Sequence, residues 1–286
     1  MTAQIISGRD IAQKIIQKEL IPRVRMLNKK SVQPKLVVIF LGENSASASY
    51  IRQKEKFAAQ AGVASEVLKF PESISEEELL VEIKKINADD SIHGVIVQLP
   101  LPDHINVDKV ISTIDPTKDV DGFSDENNSD LDIRKSLLPP CTPKGIITML
   151  EKSGVNVAEK RVVVMGRSRI VGRPVAEMML FRGAMVKVLH SKTPPQEAAQ
   201  ALKEAEVLVV AVGKPELVRG EQLSRGVIVI DVGIHRREDG SLCGDVHFES
   251  TKKVASLISP VPGGVGPMTV VSLIENTITA AEQTAN

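Results

Sequence analysis

The chain has 286 residues, 42% hydrophobic and 25% charged, with 36 basic side chains balanced by 36 acidic ones. That length accommodates two ordinary domains with large cores, and the cancelled charge, without any Lys/Arg-rich block, gives no electrostatic support to nucleic acid or an anionic membrane as partner. The amino terminus MTAQIISGRDIAQ lacks a basic flank before an apolar core and no run approaches the roughly 18 apolar residues of a membrane span, so the chain reads as cytoplasmic, with small ligands.

In chain order, GRDIAQKIIQKEL has the helical spacing of Ile11, Ile15, Ile16 and Leu20 and is expected to stop or kink near Pro22. KLVVIFL, residues 35–41, is an unbroken β-branched run suited to a strand covered on both faces. A helix carrying Tyr50 and Lys54 should follow and end at Gly62. SEVLKF reads as a second strand, SISEEELLVEIKKIN as a helix with Ser75 as N-cap and Glu78 completing a capping box, and GVIVQ as a third strand from Gly94 to Gln98, stopped by Pro100. Between about Asp115 and Pro143 the pattern gives way to a connector and loop rich in Asp, Asn, Ser and Pro. A second series then begins: helix TPKGIITMLEKSG, strand KRVVVMG, a helix from about Gly172, strand AMVKVLH, helix PQEAAQALKEA, strands VLVVAVG and VIVIDVG, and a final helix MTVVSLIENTITAAEQ that could return to the first domain. Alternating strands and helices imply parallel sheets, whose strand carboxyl ends are the usual ligand sites, so Gln98 and the residues after Leu41 belong near a binding mouth.

Tyr50 and Lys54 share a helix face, so a phenol and an ammonium can converge on one small reactant. In VVVMGRSRIVGRPVAEMM, a strand runs through a turn into a helix; Gly166 and Gly172 depart from GxGxxG spacing, but the context suits a pyrophosphate cradled by backbone N–H groups. The next strand ends in His190, Ser191 and Lys192 where an NAD site usually offers a carboxylate, and Arg167 and Arg169 lie in the first turn. This favours a ribose 2′-phosphate, which a carboxylate would repel. Cys141 and Cys243 form no CxxC or Cys/His pattern and the five histidines are scattered, so neither a disulfide framework nor a metal site is expected.

YIRQK, GVIVQLPLP, KDVDGF, PCTPKG, VVVMGRSRIVGRPVA, DVGI, GDVHF and PVPGGVGPMTV occur in this order, and together they closely resemble the bifunctional methylenetetrahydrofolate dehydrogenase/methenyltetrahydrofolate cyclohydrolase family along nearly the whole chain. The resemblance implies an α/β fold of two three-layer αβα domains, the second Rossmann-like, with the active-site cleft between them. Residues 1–140 with 268–286 would bind folate, and residues 141–267 would bind NADP. It implies NADP-dependent oxidation of 5,10-methylenetetrahydrofolate to the methenyl form, followed by hydrolysis to 10-formyltetrahydrofolate, in a homodimer. Lys54, Tyr50, Gln98 and Asp121 match the family's catalytic positions. Gly166, Arg167, Ser168, Gly172, Pro174, Ser191 and Ile234 match its cofactor contacts; Tyr50, Asp121, Pro262, Gly263 and Gly264 match its folate contacts.

Chemistry supports those assignments. Hydride loss from a carbon between two nitrogens needs orientation more than proton transfer, whereas hydration needs protons moved, a task for a lysine whose pKa is lowered by burial, held by Gln98. Tyr50 offers a flat face to the folate rings, and Asp121 can accept the pterin's paired N–H donors. Taken alone, the same residues would read as a solvated helix pair, a strand end and a turn former. One stretch departs from the family: in SDENNSDL, Ser124, Asp125 and Ser129 replace a His, a Pro and a Gly, while Asn127 and Leu131 stay in phase. Its expected effect is on folate affinity or loop geometry. Two rivals remain, a shikimate-type NADP dehydrogenase and a folate/NADP-binding relative without turnover.

Overall fold

The run Lys35–Leu41 forms a strand buried along almost its whole length, as expected for a β-branched segment with no polar face to turn toward water. In the computed structural model, which describes residues 2–129 and 137–285, the strands are β1 (Gln4–Ile5), β2 (Lys35–Leu41), β3 (Ala64–Phe70), β4 (Gly94–Val97), β5 (Arg161–Met165), β6 (Met185–Leu189), β7 (Val207–Val210), β8 (Ile228–Asp231), β9 (His235–Arg236), β10 (Leu242–Cys243) and β11 (Leu257–Ile258). The chain divides into two compact α/β units, Met1–Ala12 with Thr142–Thr269 and Gln13–Cys141 with Val270–Asn286.

The second of these is built on a parallel three-stranded sheet ordered β3-β2-β4. Its core joins Val37, Ile39 and Val95 from the sheet to Leu79, Ile83 and Ile86 from the helix Glu76–Asn87. That helix starts in the predicted capping box: Ser75 Oγ accepts the Glu78 N–H (3.2 Å) and Glu78 Oε2 accepts the Ser75 N–H (3.0 Å). The helix Ser45–Ala61 ends at Gly62, whose φ of +82° is the left-handed conformation a glycine adopts without a Cβ penalty.

The amino-terminal helix does not stop at Pro22. Gly8–Ile15 runs into a π-helical turn, Ile16–Leu20, and then into Ile21–Lys29, with Pro22 in the first turn of this last segment. The Ile21 N–H reaches back to the Ile16 carbonyl, and this wider turn accommodates a ring that an unbroken α-helix would reject. Periodicity assigns no element to residues 103–114, yet Val107–Thr113 is helical, its start capped by Asn106, which accepts the Lys109 N–H (3.0 Å).

The other unit carries a parallel sheet ordered β1-β11-β8-β7-β5-β6, with Val163, Leu208, Val210, Val229 and Ile258 in its core. β1 pairs with β11, Gln4 opposite Leu257 and Ile5 opposite Ile258, which draws the first twelve residues into this unit. By packing, these twelve residues therefore group with this unit, whereas the sequence placed them with the rest of residues 1–140; a two-residue strand has too short a period to be read from sequence. The final helix, Val265–Thr284, starts in this unit, and from Val270 it belongs to the other. There Asn276 Nδ2 donates to the Val120 and Pro139 carbonyls, each at 2.9 Å.

Both sheets share a topological property. The chain leaves β2 for β3 on one side and returns to β4 on the other; likewise it leaves β5 for β6 and returns to β7. The strand order therefore reverses between β2 and β4 and between β5 and β7, and the carboxyl ends at such points form crevices that favour ligands.

Candidate active site

Gln98 follows β4 immediately, and its backbone N–H donates to the Ile39 carbonyl of β2 (2.9 Å), so it sits at the strand-order reversal of the smaller sheet. From the helix Ser45–Ala61, Lys54 Nζ donates to Gln98 Oε1 at 3.0 Å, while Gln98 Nε2 donates to the Leu99 carbonyl at 2.8 Å. Asn44 caps that helix by accepting the Ser47 N–H (3.0 Å), which fixes the start of the element bearing Tyr50 and Lys54. Tyr50 is 38% exposed, with burial of its remainder raising the phenol pKa.

Asp121 is presented by a turn locked from beneath. Asp119, nearly fully buried, accepts the backbone N–H groups of Gly122 (3.1 Å) and Ser124 (2.7 Å) and the Asn127 side-chain amide (3.2 Å). Gly122 has φ +73°, and any Cβ there would strike the backbone of residues 138–140, so the glycine after Asp121 is required by close approach as well as by conformation. Burial raises the Asp121 pKa, the positive charge of Lys54 opposes that rise, and Asp119 adds to it. Asp121 keeps some surface in contact with solvent, but the dense protein packed around it governs its titration. Tyr50, Lys54, Gln98 and Asp121 thus all belong to one unit, with Lys54 directly bonded to Gln98 and electrostatically coupled to Asp121.

The divergent stretch is ordered where it is described. Ser124 Oγ accepts the Asn127 N–H (3.3 Å) at the start of the short helix Asp125–Ser129, so the serine in place of histidine supplies a local cap, and Asn127 ties the loop to Asp119. Leu131 lies outside the described residues.

In the larger sheet, Gly166 follows β5 at the reversal point. A side chain there would overlap the Ala211 carbonyl, and one on Gly172 would overlap the Gly166 carbonyl. The two glycines thus let the turn fold tightly against Ala211 and against itself, forming a compact cradle that leads into the helix Gly172–Leu180, which also contains Pro174, and Ser168 Oγ accepts the Gly172 N–H at 3.3 Å. A tight glycine-bounded turn after a strand, entering a helix amino terminus, fits a dinucleotide pyrophosphate, because the first N–H groups of such a helix favour an anion. Arg167 and Ser168 are exposed on the turn, and Ser191 is exposed just beyond β6. Ile234, 42% exposed, follows β8, and Pro262–Gly264 follow β11 in the same unit, where the Gly263 carbonyl accepts the Arg9 N–H (3.0 Å). The supporting role of Asp119 is not apparent from sequence, where KDVDG could have either aspartate as the presented one.

The model of the tetrahydrofolate dehydrogenase/cyclohydrolase catalytic domain matches residues 6–121, and that of its NAD(P)-binding domain matches residues 140–285. The chain belongs to the tetrahydrofolate dehydrogenase/cyclohydrolase family. It is 49% identical over 285 residues to the bifunctional protein FolD of Geobacillus thermodenitrificans, covering 100% of this chain and 99% of that one. The structure of the bifunctional FolD enzyme from Campylobacter jejuni superposes with a TM-score of 0.95 at 41% identity, covering 99% of each chain. That of the Trypanosoma brucei enzyme, in complex with NADP and an inhibitor, superposes with a TM-score of 0.93 at 39% identity, again covering 99% of each chain. Family membership displaces the shikimate-type reading.

Proposed function

We propose that this protein is a bifunctional one-carbon enzyme that oxidises 5,10-methylenetetrahydrofolate to 5,10-methenyltetrahydrofolate with NADP and hydrolyses the product to 10-formyltetrahydrofolate. The observation that carries the reading is the Lys54–Gln98 hydrogen bond beside Asp121, at the strand-order reversal of the unit matched by the family's catalytic domain. When bound, NADP accepts the hydride leaving the one-carbon unit. Gly166, Arg167, Ser168, Gly172, Pro174, Ser191 and Ile234 would hold it, with Arg167 and Ser191 able to pair with the 2′-phosphate.

In the hydration half-reaction, water adds to the methenyl carbon and one carbon–nitrogen bond breaks, with net release of a proton. Lys54 exchanges the protons with the attacking water and the departing nitrogen, and Gln98 fixes its Nζ position. Asp121 accepts the pterin donors, orienting the one-carbon bridge, while Tyr50 covers the folate rings. Pro262, Gly263 and Gly264 complete the folate contacts in this reading. Hydride loss itself requires no acid or base, because the adjacent nitrogens share the positive charge that develops.

Self-association as a homodimer is part of the proposal. β6 is an edge strand of the larger sheet, and Met185 (55%) and Val188 (36%) on it, with Leu180 (53%) and Phe181 (54%) nearby in sequence, are exposed apolar side chains that a second copy could cover. Phe181→Asp with Met185→Lys should give a monomer by sedimentation; an unchanged dimer would place the interface elsewhere. A cytoplasmic location also belongs here, supported by Cys141 and Cys243 both being buried and outside any disulfide.

The deciding test follows methenyl formation and loss spectrophotometrically with 5,10-methylenetetrahydrofolate and either NADP or NAD. NADP-dependent turnover followed by hydrolysis is expected; tight folate and NADP binding without product would overturn catalysis in favour of a binding relative.

A further inference from the structure

DVGI at Asp231–Ile234 and GDVHF at Gly244–Phe248 meet at two enclosed carboxylates for which the chemistry above has no use. Asp245 is fully buried and accepts four donors: the backbone N–H groups of Val212 (2.7 Å), Gly213 (3.0 Å) and Lys214 (2.9 Å), and His235 Nε2 (2.7 Å). Successive N–H groups converging on one point, here around Gly213 at φ +67°, form a concavity of the kind that binds anions. Its anion is internal to the protein.

Asp231 holds Asp245 in turn, accepting the N–H groups of Asp245 and Val246, each at 2.9 Å, and that of Gly233 at 3.1 Å. A Cβ on Gly233 would overlap the Asp245 carboxylate, and one on Gly244 the Asp231 carboxylate. Each motif's glycine therefore makes room for the other motif's aspartate.

The Val212–Lys214 turn continues from Ala211. The Ala211 N–H donates to the Met165 carbonyl (2.8 Å), and the Ala211 carbonyl occupies the space a Gly166 side chain would need. The backbone that Asp245 gathers is thus continuous with the backbone against which the Gly166–Gly172 turn rests.

We propose that Asp245 is a positioning residue for NADP, acting through the Val212–Lys214 turn and Ala211 to set the backbone of the Gly166–Gly172 cradle. The inference rests on the assignment of that cradle to the cofactor. Asp245→Asn keeps the side-chain volume but loses the charge and replaces one acceptor oxygen with an N–H group, in a site filled by N–H donors.

The test compares NADP dissociation constants, measured by direct titration, with the rate of methenyl hydrolysis, which needs no NADP. In Asp245→Asn the NADP dissociation constant should rise about 10- to 100-fold, while hydrolysis falls much less. An unchanged NADP affinity, or equal losses in both readouts, would overturn the proposal. Should the variant fail to fold, His235→Ala removes a single donor and should still raise the NADP dissociation constant several-fold while accelerating hydrogen exchange at the Val212–Lys214 amides; no change in either overturns it equally. Wild-type protein that fails to bind NADP would instead refute the cofactor assignment.

Discussion

Lys54 and Gln98 are joined by a 3.0 Å hydrogen bond between a helix and a strand end that are 44 residues apart in sequence. The amide oxygen fixes the direction of the ammonium, and the other end of the same amide is tied to the Leu99 carbonyl, so neither side chain swings independently. Lys54→Met should abolish methenyl hydrolysis by a factor of roughly 10² to 10⁴, and should leave a larger share of the dehydrogenase rate. Wild-type hydrolysis in this variant would remove lysine from the mechanism.

The same lysine opposes the burial-driven rise of the Asp121 pKa. Burial already raises that carboxyl and the Lys54 charge restrains it, so loss of the charge should raise it further. With Asp121 proposed to accept the pterin donors as a carboxylate, folate binding by Lys54→Met should fail at a higher pH than in the wild type. Binding titrations across pH test this, and superimposable profiles would show that the two groups do not couple.

Asp231 gives a pH dependence of stability. Its carboxyl is pushed up to about 7, chiefly by burial, from an ordinary value of 3.8. The folded state therefore holds a proton that the unfolded chain has released, and the contribution of this group is retained below the unfolded value and lost as pH rises toward 7. The stability of the wild type relative to Asp231→Asn should fall by a few kcal/mol, in order of magnitude, between pH 4 and 7 and level off above that. Denaturant midpoints at several pH values measure it; a flat difference would refute it.

Lys118 is buried, and its Nζ donates to the carbonyls of Ile86 (3.3 Å), Asn87 (2.9 Å) and Asp89 (2.7 Å), clasping the end of the helix Glu76–Asn87 next to the turn that bears Asp121. Lys118→Met should cost about 2 to 4 kcal/mol, because the apolar stem stays packed while the carbonyls lose a charged donor. Chemical denaturation is the direct measurement, with a loss below about 0.5 kcal/mol counting against the clasp.

Arg167 and Ser191 are the residues proposed to pair with the 2′-phosphate. Replacing both should raise the KM for NADP more than that for NAD, because only NADP has the 2′-phosphate. Equal effects would mean that these side chains contact the part common to both cofactors.

Helices and strands with a full period of side chains were legible in the sequence. Ser75 with Glu78 marks a helix start by local hydrogen bonding, Gly62 marks an end by its left-handed conformation, and Lys35–Leu41 is apolar enough to declare a doubly covered strand. Pro22 was ambiguous because sequence shows the lost N–H but not the π-turn that accommodates the ring. β1 and the helix Val107–Thr113 escaped notice because segments of two and seven residues hold too few side chains to establish a period.

By itself, the sequence determined the chemical inventory: a tyrosine and a lysine on one helix face, a strand ending in glutamine, a glycine turn with arginines and no carboxylate for the ribose. These are local properties, set by residue type and spacing. Only the tertiary structure decided that Lys54 bonds to Gln98, that Asp119 carries the turn while Asp121 is presented, and that Asp245 fills a nest of backbone donors. Those relationships join segments that meet only after strands pair and helices pack, so no local spacing can encode them.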